Sequence, residues 1–425
     1  MKSPQKEPKK LNRICFLNPH GYVFYPPQLG KTDTGGQTLY EFELARALGK
    51  RNIKVDIVTR LFDDSLPEEE IFPNVKIIRI PCGKKEFISK EKLYELMPEM
   101  MENFMHYIEK SKKVYDLIHS HYWDAGYAGI LLAKMLDIPH IHTPHTLGKA
   151  KKMEMALEEA PVQKLKPFYR YHVRIAIEQK IISTAKAIVV LCETSRIQIL
   201  QHYMADFEKL HVIFPGVDTD IFQPKSNSHD NKFKFANNSI LTMSRLVPAK
   251  GIDRVIEAIS HIKNQAEFHL YIGGGSIEGQ QSKEEMDTYN QLQELIARHK
   301  LKDKVTFLGR IPHTNELAAC YRKADIFILG GRYEPFGLTT LETMACGTVP
   351  IVSSVAGSKE IIVDGLNGFV TNTADTKGLS EVILKILNDS KLRKKVSENA
   401  AFTIKEHYSW DKVVEKFITL YKKLL

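Results

Sequence analysis

The stretch IFILGGRYEPFGLTTLETMACGTVPIVSS, residues 326–354, changes character three times. Ile326–Leu329 is an apolar, β-prone run closed by Gly330 and Gly331, and it reads as a strand. Glycine and proline then punctuate a turn around Glu334. From Leu338 the apolar residues fall at helical spacing, through Leu341 and Ala345, until Gly347 stops them. Val349–Val352 is apolar again. Strand, helix and strand with short connections make a βαβ unit, whose strands lie parallel. Glu334 sits in the turn and Glu342 in the helix. With a rise of ~1.5 Å per residue the two carboxyls stand ~10 Å apart. The pair that flanks one bond in a retaining glycosidase is only ~5 Å apart. These glutamates therefore suit the two ends of a ligand better than one scissile bond.

The same alternation runs outward along the chain. RICFLNP, KVDIVTR, VKIIRIP, LIHSHY, HIHTPH and AIVVLC read as strands in the first half, and SILTMSR, FHLYIGGG, KVTFLGR, IFILGG, VPIVSS and GFVTN in the second. Helical patterns such as GGQTLYEFELARALGKRN lie between them. The prediction is an α/β protein with a doubly wound parallel sheet in each half. The polar, turn-rich stretch 216–239 is the expected boundary. It gives domains of 1–225 and 226–405, with 406–425 as an amphipathic helix packing back on the first. Facing Rossmann-like domains leave a cleft at the carboxyl ends of both sheets, where such folds bind ligands.

Composition narrows the class. The chain has 425 residues, is 43% hydrophobic and 26% charged, and carries a net charge of +9. That charge suits anionic small molecules or a membrane surface; no basic helix or aromatic-interleaved patch speaks for nucleic acid. No apolar run is long enough to span a bilayer. The basic N-terminus MKSPQKEPKK leads straight into a strand pattern and is expected to be a solvated tail, not a secretory signal. Cys15, Cys82, Cys192, Cys320 and Cys346 are scattered without C-x-x-C spacing, as for buried reduced thiols in a cytoplasmic protein.

Three elements suit phosphate. Gly35 and Gly36 precede a long helix pattern, where free N–H groups and the helix dipole favour an anion. A glycine N-cap without a ligand is the alternative there. Gly337, Leu338 and Thr339 open a second helix, and Arg245 and Lys250 follow the strand SILTM. Two helix starts and two cations suit a nucleotide diphosphate; each cation taken alone is an ordinary surface charge.

Two other patterns invite a metal. Asp218 and Asp220 form D-x-D in a Pro-Gly turn, where aspartate commonly stabilises the turn itself. His119, His121, His140, His142 and His145 have period-two spacing on strands, which makes a zinc site conceivable. Buried, hydrogen-bonded histidines with one member at an active site are the plainer reading. The methionine-rich helix 92–110 reads as packing.

Together RYEPFGLTTLETMACGTVPIVSS, SRLVPAKG, GLNGFV and PGVDTDIF resemble the retaining glycosyltransferases of family 4. Their fold is GT-B, two Rossmann-like domains facing across a cleft. In the first half TDTGGQTLYEFELARAL, IPCG, HSHYWDAG and HTPHTLGKAKK resemble the sucrose-phosphate synthase and mannosylfructose-phosphate synthase branch. The resemblance implies transfer of a hexose from a sugar nucleotide to fructose 6-phosphate, with the first domain binding acceptor and the second donor. Glu334 would contact the donor hexose, and Glu342 the ribose. Arg245 and Lys250 would bind the diphosphate with backbone N–H groups from Phe336 to Thr339. Gly35, Gly36 and Gln37 would line the junction of donor phosphate and acceptor, with His145 beside the reacting sugar. Lys151 and Arg174 would hold the acceptor phosphate, and Tyr122 and Asp124 would touch the acceptor.

The chain departs from the branch at Thr146 for serine, at Lys149 for the arginine of many sucrose-phosphate synthases, and at Ala356–Gly357 for Gly-Gly. The resemblance also implies no essential metal or other cofactor and no integral membrane contact. UDP-glucose, ADP-glucose and GDP-mannose stay open as donors. The base-binding loop, for which Gly309–Arg310–Ile311 is the nearest candidate, and the oligomeric state stay open too. The alternative enzyme is a membrane-surface glycosyltransferase with a lipid or other sugar acceptor. A sugar-nucleotide epimerase and a catalytically silent binding protein are the further readings. The intact Glu334, Glu342, Arg245, Lys250 and His145 argue against silence.

Overall fold

The computed structural model describes residues 10–29, 33–158, 170–225, 228–275 and 282–425, without the side chains of 154–158. The expected N-terminal tail lies outside them apart from its last residue. Contacts divide the chain into two units. One is the N-terminal part through Phe214 together with Trp410–Leu425; the other is Pro215–Ser409.

Among the described residues the first unit holds eight strands: β1 (Arg13–Leu17), β2 (Lys54–Leu61), β3 (Glu68–Phe72), β4 (Val75–Pro81), β5 (Leu117–His121), β6 (His140–Thr143), β7 (Ala187–Val190) and β8 (Leu210–Val212). Their order is β3-β4-β2-β1-β5-β6-β7-β8. Every neighbouring pair is parallel except β3 with β4. β5, β6 and β7 are buried along their whole length, which is why they read as unbroken runs and not as alternations. β3 and β8 were not predicted. β3 is an acidic edge strand, EEEIF, tied to its neighbour by Glu68–Lys76 at 2.6 Å and Glu69–Arg79 at 2.8 Å.

In this unit Met97, Met100, Met101, Phe104 and Ile108 of the helix Met97–Ser111 pack against Leu17, Val58, Ile78 and Ile118 of the sheet. The methionines thus fill core, as their spacing suggests. The C-terminal helix Trp410–Leu424 packs on the helix Gly36–Lys50. Arg51 pins its start by bonds to Asp411 (3.0 Å) and Glu415 (2.9 Å).

Among its described residues the second unit holds six parallel strands: β9 (Ser239–Met243), β10 (His269–Gly273), β11 (Val305–Gly309), β12 (Ile326–Leu329), β13 (Val349–Ser353) and β14 (Phe369–Thr371). Their order is β11-β10-β9-β12-β13-β14. Ile240, Leu270, Ile272, Ile326, Ile328 and Ile351 meet one continuous apolar core. All five cysteines of the chain are buried and free.

Each sheet reverses direction once. In the first unit the chain works outward from β1 through β2 and β4, then returns to place β5 on the other side of β1. In the second it works outward from β9 through β10 and β11, then returns to place β12 beside β9. The connections leaving the two central strands diverge there and leave a crevice, the ligand position of such sheets.

Candidate functional site

The β9/β12 crevice gathers the segment quoted first. Arg245 follows β9 and is exposed; among the described residues no hydrogen bond or ion pair holds its guanidinium. Lys250 ends a short 3-10 turn, and its Nζ lies 2.5 Å from Glu334 Oε2. The two loops fit backbone to backbone. Gly251 has φ +62°, and a Cβ there would stand 2.1 Å from the Gly330 carbonyl oxygen, so only glycine fits. Arg332 fastens the same junction, with its backbone N–H on Ala249 O (2.8 Å) and its guanidinium on both oxygens of Asp253 (2.7 and 2.5 Å). On the far side Gly357 N–H donates to Glu334 O (3.0 Å) and Ser358 N–H to Phe336 O (2.8 Å). The Ala356–Gly357 departure therefore lies against the Glu334 turn.

Gly337 caps the helix Leu338–Ala345 with φ +98°; a Cβ there would stand 2.6 Å from Leu329 Cδ2. No side chain caps this helix start and no acid lies in its first turn. Its leading N–H groups, with those of Leu338 and Thr339 foremost, carry the positive end of the dipole toward the crevice. Glu342, one turn on, is buried. Its two oxygens meet His313 Nε2 at 2.8 Å and the Tyr321 hydroxyl at 2.9 Å. Both glutamates are thus held in place by neighbours rather than by each other.

The β1/β5 crevice is built differently. The helix Gly36–Lys50 starts after Gly35, again with no side-chain cap and no acid in the first turn. Gln37 Nε2 donates to His121 O at 3.2 Å, fastening that start to the end of β5. Asp124 is fully buried and faces His20, whose Nδ1 lies 2.9 Å from Oδ2. Lys90 is ion-paired to Asp33, just ahead of the glycines. Burial works against the Lys90 charge, but Tyr122, Asp33 and Glu91 outweigh it and hold its pKa above the ordinary lysine value.

Arg174 is buried and almost fully engaged. Its Nε donates to Glu178 (2.7 Å), Nη1 to the Tyr122 hydroxyl (2.9 Å), and Nη2 to Thr146 O and Oγ1 (2.9 and 2.8 Å). Its charge is already balanced by Glu178, which also accepts the Gly148 N–H. Lys149, Lys151 and Lys152 stand in the first turns of the helix Gly148–Glu158; they are not in a loop.

The histidines of β5 and β6 split by face. Ser120 Oγ lies between His140 Nε2 (2.7 Å) and His142 Nδ1 (2.9 Å) on one face. On the other, His119 bonds the Tyr421 hydroxyl (2.7 Å) and Thr143 (2.8 Å), while His121 Nδ1 meets His145 Nε2 at 3.1 Å. Burial pushes the His140 and His145 pKa values down to about 3 and lowers those of His119, His121 and His142. All five rings are neutral near neutral pH. His145 has φ +56°, and Tyr40 meets its ring edge-on at 5.1 Å. Trp410 packs behind Tyr40 at 5.4 Å. In the D-x-D turn, Asp218 Oδ1 accepts the Asp220 N–H at 3.0 Å, the turn-stabilising bond expected of it.

The predicted residues therefore fall into two groups. Arg245, Lys250, Glu334, Phe336, Gly337, Leu338, Thr339 and Glu342 gather at the β9/β12 crevice. Gly35, Gly36, Gln37, Tyr122, Asp124 and His145 gather at the β1/β5 crevice and the adjoining end of β6, with Arg174 bonded to Tyr122. Lys151 stands one turn into the neighbouring helix. Sequence reasoning missed His20, Asp33, Lys90, His313, Tyr321 and Glu41. Only His20 carried a local signal, a His-Gly pair directly after β1.

Comparison with known proteins agrees with this architecture. Residues 34–221 match the family described as Glycosyltransferase Family 4, and residues 225–402 match the glycosyl transferases group 1. The mannosylfructose-phosphate synthase of Agrobacterium fabrum is 34% identical, over 97% of this chain and 92% of its own. A probable sucrose-phosphate synthase of Thermosipho melanesiensis is 32% identical, over 97% and 96%. The solved sucrose-phosphate synthase of Thermosynechococcus elongatus superposes with a TM-score of 0.84 at 27% identity, covering 97% of this chain and 99% of that one. Two parallel-sheet units, each with its ligand crevice, and similarity along the whole length place the chain: it belongs to glycosyltransferase family 4, in the branch of the mannosylfructose-phosphate and sucrose-phosphate synthases.

Proposed function

We propose that this glycosyltransferase moves glucose or mannose from a sugar nucleotide, UDP-glucose or GDP-mannose, to fructose 6-phosphate, with retention and without an essential metal. The observation that carries the donor half is the Lys250–Glu334 pair beside the uncapped start of the Leu338–Ala345 helix. An entering diphosphate meets Arg245, Lys250 and the helix N–H groups, which offset its charge without a cation. Lys250 then shares itself between phosphate and Glu334, leaving that carboxylate an oxygen for a hexose hydroxyl. Glu342, already fixed by His313 and Tyr321, offers its remaining lone pairs to the ribose. The acceptor half rests on the names of the two relatives and on the helix that carries Lys151, whose first residue, Gly148, lies beside Arg174. Glu178 already neutralises Arg174, which sets Tyr122, and Lys151 brings a positive charge to the acceptor phosphate.

In the transfer the bond from C1 to the diphosphate oxygen breaks. The acceptor hydroxyl oxygen bonds C1 on the same face, and its proton passes to a departing phosphate oxygen. The protein supplies positioning and electrostatic stabilisation of the leaving diphosphate. His145, neutral, hydrogen-bonds and orients the sugar.

The test is nucleotide diphosphate release from UDP-glucose, ADP-glucose and GDP-mannose, each offered with fructose 6-phosphate and with fructose. One donor is expected to give release that depends on the phosphorylated sugar. No release from any donor with fructose 6-phosphate would sink the acceptor assignment.

A further inference from the structure

Beneath His145 lies a group that the proposed transfer does not use. Glu41, in the second turn of the Gly36–Lys50 helix, is 1% exposed, and among the described residues neither carboxyl oxygen has a hydrogen-bond partner. His121, at the end of β5, is 0% exposed, and its Nε2 has none either. Both side-chain atoms of the neighbouring Asn18 are in the same condition. Burial raises the Glu41 pKa well above the ordinary carboxyl range; Gln37 and Asn18 face the group and act in the opposite sense, without making a full bond. Buried polar atoms without partners are rare and expensive, and several in one place point to a missing guest.

Glu41, His121 and His145 each offer one ligand atom within 4.8 Å of the other two. We infer that these three side chains form a binding site for one divalent transition-metal cation of the zinc class. The donor set, two imidazoles and a carboxylate, is the one zinc takes with three protein ligands and a fourth position open. Calcium and magnesium, which take oxygen ligands, do not fit it. Bonds of about 2.0–2.2 Å in a tetrahedron put ligand atoms about 3.4 Å apart. Closing on the ion therefore takes side-chain rotation. Glu41 comes from a helix, His121 from a strand end and His145 from a backbone fixed at positive φ, so three ordered elements aim them. His145 is only partly buried and leaves the cluster a way in. The ion is no part of the transfer described above, whose charges Arg245, Lys250 and the helix start carry.

The experiment is titration of the chelator-stripped full chain with cobalt(II), read by the visible d–d absorption of a tetrahedral complex and by displacement with zinc. One equivalent per chain is expected. Glu41→Gln and His121→Ala should each weaken binding by about tenfold or more, with far-ultraviolet circular dichroism checking the fold. Absence of the tetrahedral band, or undiminished binding by Glu41→Gln, overturns the site. Should the variants fail to fold, anomalous scattering from zinc-soaked crystals of the unaltered chain decides. Density among the three side chains supports the site, and density elsewhere or nowhere overturns it.

Discussion

At the carboxyl end of β12 the candidate site's charged groups are paired, and among the described residues Arg245 is the exception: Glu334 has Lys250, Glu342 has His313, and Arg332 has Asp253. Along β5 and β6 four histidines are buried neutral, with His145 partly buried just beyond, and Glu41 near His121 and His145 is buried without a hydrogen-bond partner among the described residues. The first arrangement keeps charges that are ready to be shared with an anionic ligand. Beside the Lys90–Asp33 pair the second sets neutral rings and leaves atoms unsatisfied. The difference teaches that one chain can build two crevices of the same topology with different electrostatics. It also means that the two should respond to different insults.

The largest effect is expected from breaking the paired crevice. On the proposed donor assignment, Lys250→Ala would remove a diphosphate contact and part Glu334 from its cation, and Glu334→Gln would remove the hexose contact. Each should lower kcat/KM by about 10²–10³-fold in initial-rate assays. A loss under threefold for both would mean that the pair only joins two loops.

Acid should strike the other crevice. The His140 pKa is about 3 folded against 6.5 unfolded, so below pH 6.5 the unfolded chain binds the extra proton. The stability it gives is complete above pH 6.5 and falls as the pH drops toward 3. At pH 5 the loss from this one ring is about 2 kcal/mol. Urea melts at pH 7 and pH 5 should show the N-terminal unit weakening first, and His140→Gln should flatten that dependence. Equal weakening of both units would erase the contrast drawn here.

A smaller effect is expected at Lys151. Lys151→Ala should raise the KM for fructose 6-phosphate about tenfold and the donor KM much less. An equal rise in both would take Lys151 out of acceptor binding. Smallest of all, prior treatment with EDTA should leave the rate unchanged. Strong loss restored by Mn²⁺ would replace the cationic side chains with a metal as the source of diphosphate neutralisation.

Much of this was legible in the sequence, for reasons that can be named. Parallel strands covered on both faces write themselves as apolar runs, so RICFL or IFIL needs no partner to be seen. EEEIF becomes a strand only because β4 lies beside it, and LHV at β8 is too short to carry a pattern. Arg245, Lys250, Glu334 and Glu342 were visible because each stands in a contiguous loop-to-helix motif. Lys90 and Asp33 are 57 positions apart, and Tyr321 and Glu342 are 21 apart. Such pairs exist only after folding, and no local spacing announces them. Glu41 was hidden for a further reason: in a helix pattern such as YEFELARAL an acid reads as solvent-facing, and Glu41 faces inward.

The C-terminal helix has a consequence for the order in which the chain is made. Trp410 backs Tyr40, and the Tyr421 hydroxyl holds His119, so residues that follow the second unit in the chain complete the first. Seven of its side chains are buried: Trp410, Val413, Val414, Phe417, Ile418, Leu420 and Tyr421. At about 1.5–3 kcal/mol for each large apolar group, they match the whole net stability of a typical domain, about 5–15 kcal/mol. The N-terminal unit must therefore wait on the ribosome, its helix 36–50 uncovered, while the second unit is made. A stop codon just ahead of residue 410 would cripple the unit that precedes the second in the chain.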